Sequence, residues 1–219
     1  MENVFRKFAP LCALVMKPSG DSVEFLGTAF AVHSSGYLAT AAHVVKGQGK
    51  IVISPSNDAT GFQTASQKLR CIDTSVVEMD EKNDVALLKF NDPVGLKLTG
   101  ELFGDSNRLI PGAAIMHLGY PFGKTGSLVL AMRSGRLAAK VENPQGVRQL
   151  YVEGVAYSGA AGGPLIDVSR GTIVGVINQQ LGLVPKPSER EFEFKLPIAT
   201  ELTFAAPIDA LLDLIPAQH

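Results

Sequence analysis

Three separated stretches carry residue types that could share one reaction: His43, Asp84 and the small-residue run Gly159-Ala160-Ala161-Gly162-Gly163-Pro164. Acyl transfer by a triad needs a nucleophilic hydroxyl, an imidazole to take its proton, and a buried carboxylate to fix the imidazole's tautomer. A glycine-rich loop suits a further task, because backbone amides approach a carbonyl closely only through turns free of Cβ atoms. Each stretch also has a plainer reading. A Gly/Ala/Pro cluster before an apolar run is ordinarily a turn. Asp84, at the mouth of the apolar run Val85 to Phe90, fits a strand-start residue bonded to backbone. A lone histidine is ordinarily structural, and His33, His117 and His219 are read that way. His43 stands apart because small residues surround it and leave its ring accessible.

The elements that must position these residues are mostly strands. Short apolar or alternating runs appear at Leu11–Met16, Val23–Val32, Tyr37–Thr40, Ile51–Ser54, Lys68–Ile72, Ser75–Met79 and Val85–Phe90. Ala41 to Val45 is too short for an ordinary helix and fits a single turn. From Asn91 to Pro111 the pattern loosens into Pro, Gly and Asn, which predicts a connection between two halves. The second half reads as strands at Ala113–Leu118, Ser127–Arg133, Gly135–Val141, Gln149–Val155, Leu165–Val168, Thr172–Ile177, Glu191–Leu196 and Leu202–Ala206. Pro207 to Ile215 has helical spacing with Pro at an early position. The expected fold is all-β, two small antiparallel barrels in tandem with a C-terminal helix. Periodicity alone leaves a β-sandwich open. The expected division is 1–97, a connection at 98–112, 113–206, and the helix at 207–215.

Composition narrows the partners. The 219 residues are 46% hydrophobic and 19% charged, an ordinary globular balance, and the net charge of -1 offers nucleic acid no basic surface. A peptide or protein partner is expected instead. Cys12 and Cys71 are too few for a disulfide framework and read as two buried free thiols. The apolar run Pro10 to Met16 is broken by Lys17 and has no small-residue cleavage site, so it reads as a first strand. No run approaches the ~20 residues of a membrane span. A cytoplasmic location is the expectation. No metal or cofactor is expected, since the four histidines are scattered. Gly119 to Thr125 nearly spells a phosphate-binding loop, but its glycine spacing is one residue short.

The Gly159–Pro164 run resembles the nucleophile loop of trypsin-fold serine proteases, G-x-S-G-G-P, with Ala161 at the serine position. Further motifs resemble the HtrA/Deg-like branch. These are Gly27-Thr28-Ala29-Phe30 with Gly36 to Val45, Asn83 to Lys89, Gly104-Asp105-Ser106, Gly119 to Gly123, Ser134-Gly135, and Thr203 to Pro207. They fall in order across residues 11 to 215. The resemblance implies two six-stranded barrels, a general base at His43 and its orienting acid at Asp84. It also implies an oxyanion hole from the N–H groups of Gly159 and Ala161. Those donors are backbone, so Ala161 removes only the hydroxyl. Such a loss costs on the order of a million-fold in turnover, about 8 kcal/mol of barrier.

An engineered Ser→Ala change is the favoured reading of Ala161, with a natural peptide-binding pseudoprotease as the alternative. Ser158 precedes the oxyanion glycine and cannot substitute. Ala160 cannot pair with a newly cut N-terminus as the aspartate of digestive-type members does, and it departs from the branch's usual asparagine. By the same resemblance Val155 and Ala156 form the base of the first substrate pocket, and the absent carboxylate predicts an uncharged, small or medium aliphatic P1 residue. Asn178, Gln179 and Gln180 should pair with substrate backbone as an added strand. The segment Leu181 to Thr200 is longer than in typical relatives and fits a gate, an assembly element or a solvated hairpin. A PDZ domain commonly follows in that branch, so by the resemblance additional domains or an activating partner beyond the chain ends are an expectation.

Overall fold

The computed structural model describes residues 1–56, 59–64, 69–98, 100–154, 159–178 and 202–216. Among these residues, twelve strands form two closed barrels. The first is built from β1 (Cys12–Ser19), β2 (Ser22–His33), β3 (Tyr37–Thr40), β4 (Ile51–Pro55), β5 (Ile72–Asp80) and β6 (Val85–Phe90), closing in the order β1-β2-β3-β6-β5-β4. The second is built from β7 (Ala114–Gly119), β8 (Ala131–Glu142), β9 (Arg148–Glu153), β10 (Pro164–Asp167), β11 (Thr172–Ile177) and β12 (Leu202–Pro207), closing as β10-β11-β12-β9-β8-β7. All the named pairings are antiparallel, and closure leaves each barrel no free sheet edge. Among the described residues three short α-helices accompany them: α1 (Glu2–Phe8), α2 (Ala42–Val45) and α3 (Ile208–Leu212).

Burial explains the strand patterns. Every residue of β11 is buried, as are five of the six in β6, whereas β8 alternates between half-buried and exposed except at the buried Leu137. One apolar cluster runs through both barrels and includes Phe8, Phe25, Phe30, Leu118, Tyr120 and Ile208. Each large side chain buried there contributes roughly 1.5–3 kcal/mol relative to exposure. On α3, Ile208 and Leu211 are buried at one-turn spacing, and the Ser106 hydroxyl donates to the Asp209 carboxylate. On α1, Lys7 donates to the carbonyls of Glu101 at 2.8 Å and Gly171 at 2.8 Å, tying the start of the chain to the second half. No helix among the described residues is long and apolar enough to cross a membrane.

Several expectations need correction. Ser127–Arg133 and Gly135–Val141 are not two strands: β8 is continuous from Ala131 to Glu142, and its pairing with β7 passes through Ser134 and Gly135 without interruption. Pro207 still pairs with Gly175 in β12, so α3 starts one residue later than expected and ends at Leu212. Helix α1 had no counterpart in the sequence reading. Cys12 is buried, but Cys71 is exposed because it stands just outside β5. The alternating stretch Glu191–Leu196, Lys68 and His219 lie outside the described residues.

Candidate active site

Helix α2 begins straight after β3 and holds His43 in its first turn. Asp84 closes the β5–β6 turn, where the Asp80 carboxylate accepts the N–H groups of Lys82 at 2.9 Å and Asn83 at 3.0 Å. Its backbone has φ 56, a left-handed conformation that aspartate tolerates better than most residues. Turn and helix meet there. Asp84 Oδ1 accepts the His43 N–H at 2.9 Å, and the Asp84 carbonyl accepts the Ala42 N–H at 3.2 Å. His43 Nδ1 stands 2.8 Å from Oδ2 and 3.1 Å from Oδ1. An ionised carboxylate only accepts, so Nδ1 carries the proton and Nε2 keeps its lone pair. Among the described residues Nε2 has no hydrogen-bond partner. The His43 side chain is 32% exposed and that of Asp84 13%, an accessible imidazole over a sheltered acid.

The glycine loop comes from the second barrel and docks on the first. Gly159 and Gly162 adopt φ 111 and φ 85. A Cβ on Gly162 would collide with the Thr28 carbonyl and the Thr40 hydroxyl, and one on Gly159 with the Tyr120 carbonyl, so both need glycine. Thr28 in β2 is the anchor. Its N–H donates to the Ala161 carbonyl at 2.9 Å and its hydroxyl to the Gly159 carbonyl at 2.7 Å. The same hydroxyl accepts the Tyr120 N–H at 3.2 Å, while the Thr28 carbonyl accepts the Thr40 hydroxyl at 2.7 Å. On the barrel's own side, Gly162 N–H donates to the Ile177 carbonyl at 2.7 Å and Ile177 N–H to the Gly163 carbonyl at 2.9 Å. The N–H groups of Gly159 and Ala161 donate to no acceptor among the described residues.

His43, Gly159 and Ala161 line one cleft of about 250 Å³, together with Glu24, Gln48 and Lys124. Ala161 is itself buried and packs among Ala29, Ala41 and Val44 of the first barrel. Asn178, at the end of β11, is buried, and its N–H is already given to the Phe204 carbonyl at 3.0 Å. Val155, Ala156, Gln179 and Gln180, with Ser158, lie outside the described residues. Thr28 went unrecognised in sequence because periodicity marks it only as a buried strand residue. Its signal was its place beside Gly27 in a quoted motif.

Residues 27–176 match the family model described as a trypsin-like peptidase domain. Among curated proteins the chain is similar to the magnetosome formation protease MamE of Magnetospirillum gryphiswaldense, 29% identical over 164 residues, covering 73% of this chain and 19% of that protein. It is similar to a probable periplasmic serine endoprotease, DegP-like, of Pseudomonas putida, 29% identical over 200 residues, covering 90% of this chain and 36% of that protein. The solved structure of the HtrA-type protease AlgW with a decapeptide shares the fold, with a TM-score of 0.70 at 20% identity over 97% of this chain and 65% of that one. The chain thus spans between 19% and 36% of the length of these curated relatives.

Proposed function

Because the chain belongs to the trypsin-like peptidase domain family and has HtrA/DegP homologues, we propose that it is a serine-endopeptidase domain that binds peptide in the His43 cleft but cannot cleave it. The observation that carries this reading is the Nδ1–carboxylate bond at 2.8 Å, which leaves a basic Nε2 in the cleft that Ala161 also lines. With serine at 161, Nε2 would take the hydroxyl proton as oxygen attacks the carbonyl, and return it to the leaving amine. The N–H groups of Gly159 and residue 161 would hold the developing oxyanion. With alanine there is no attacking oxygen. The bound peptide is the expected end state.

The pocket base at Val155 and Ala156, and strand addition beginning near Asn178, belong to the same proposal, with an uncharged aliphatic P1 residue. Converting Ala161→Ser and exposing the chain to a fluorophosphonate probe is the test. Labelling at residue 161 that disappears on adding His43→Ala supports the reading, and turnover should rise on the order of a million-fold. A folded Ala161→Ser chain that binds peptide yet never labels would make it a pseudoprotease whose alanine is native. A chain that neither labels nor binds peptide would sink both.

A further inference from the structure

The His43 imidazole returns its proton to the leaving amine, so the chain beyond the cut bond departs past His43. On that side the cleft is walled by Glu24 and Phe25 of β2, by Gln48 after α2, and by Lys124 from the turn Gly123–Thr125. No residue of β11, at whose end the acyl side is proposed to pair, lines this space. Hydrogen bonds decide which wall groups are still available. Glu24 is paired with Lys17 at 3.1 Å, and Lys17 also donates to Gln48 Oε1 at 3.3 Å. The acid on the wall is thus met by a cation, and the Gln48 amide keeps both N–H donors unspent. Asp84 is bonded to His43 and does not line the cleft. The Lys124 ammonium is exposed, and among the described residues neither it nor the Gln48 amide nitrogen has a partner. The turn that carries Lys124 is seated on the cleft floor: a Cβ on Gly123 would strike the Phe25 ring, which also lies against Gly159.

We infer that Lys124 and Gln48 select a carboxylate on the leaving segment, on the first or second residue after the cut bond. The inference rests on the peptidase reading above and adds the charge of the substrate to it. The carboxylate oxygens accept from the Lys124 ammonium and the Gln48 amide, a charge-assisted pair of bonds that a neutral amide cannot match. A lysine or arginine at the same place would face Lys124 as a like charge, so the wall discriminates by repulsion as well as by attraction. Because Lys124 is exposed, solvent screens the pair and the result is a preference, of about three-fold in rate. The same carboxylate chemistry is presented by an Asp or Glu side chain and by the C-terminus of a short leaving segment.

The test gives the full chain carrying Ala161→Ser two pools of random octapeptides, one with free and one with amidated C-termini, and reads the cuts by mass spectrometry. Asp and Glu should stand just after the cut about three-fold more often than in the pool. Lys124→Glu should reverse the bias toward Lys and Arg, and raising salt from about 0.05 M to about 0.5 M should shrink it. A bias seen in both pools assigns side chains, whereas cuts gathered beside C-termini in the free pool alone assign the terminal carboxylate; either upholds the site. Fluorophosphonate labelling of the same chain keeps the two readings apart, because a fluoride leaving group has no segment to place in the cleft. Labelling without biased cuts, or a bias that Lys124→Glu does not move, overturns this inference and leaves the peptidase reading in place. A folded chain that does not label overturns both.

Discussion

The two barrels have equal strand counts but deliver their parts of the cleft differently. In the first, the imidazole, the carboxylate and the backbone beneath them are joined by bonds that stay within one barrel. In the second, the glycine loop is fixed in large part by Thr28 and packs its Ala161 methyl into the other barrel's core. One half of the site is thus self-supporting and the other is set by docking. Lesions in the first half should alter chemistry with little loss of fold. Lesions at the junction should cost stability and chemistry together.

The sharpest test of that contrast is Asp84→Asn in the Ala161→Ser background. Asparagine tolerates φ 56 and can still accept the His43 N–H, so the fold should hold. Turnover should nevertheless fall by ~10⁴, because the amide favours the wrong imidazole tautomer. Unchanged turnover would mean the acid does not orient the ring. At the junction, Gly162→Ala meets the Thr28 carbonyl and a left-handed backbone and should lower the urea midpoint by the equivalent of about 3 kcal/mol. An unshifted midpoint would show that the loop is not docked.

A third test addresses the second barrel alone. The His117 pKa, lowered from 6.5 to about 4 mainly by burial, means the unfolded chain takes up a proton between those values while the folded chain does not. That contribution is whole above pH 6.5 and is lost as pH falls toward 4, on the order of 3 kcal/mol. Denaturation midpoints measured across this window should slope upward with pH, and His117→Phe should flatten the slope. The smallest expected effect is Thr28→Val, which strands the Tyr120 N–H and the Gly159 carbonyl. It should cost about 2 kcal/mol and, with serine at 161, reduce turnover as well. A loss of stability with full turnover would contradict the docking account.

How far the sequence could be read follows the same division. Strand β11 is found at the residues its apolar run marks, and the β2–β3 hairpin nearly so, because each presents a local pattern. The small residues before His43 and the turn before Asp84 are local too. What stayed hidden is relational. No spacing rule says that the Thr28 hydroxyl bonds to Gly159, 131 residues away, or that Cys71 lies exposed while Cys12 is buried. Helix α1 escaped because its short Phe5–Phe8 face acquires meaning only against the core it packs on.

The posture of Asp84 has one more consequence. Its carboxylate and carbonyl together clamp the first turn of α2, and its left-handed backbone excludes most replacements. The architecture therefore favours a short side chain with an oxygen acceptor at this place, aspartate or asparagine, whether or not any bond is ever cut. The imidazole of His43 has no such second tie: among the described residues both of its side-chain hydrogen bonds go to that acid. The aspartate is thus held by helix and imidazole alike, whereas the ring hydrogen bonds of His43, among the described residues, run to the aspartate alone.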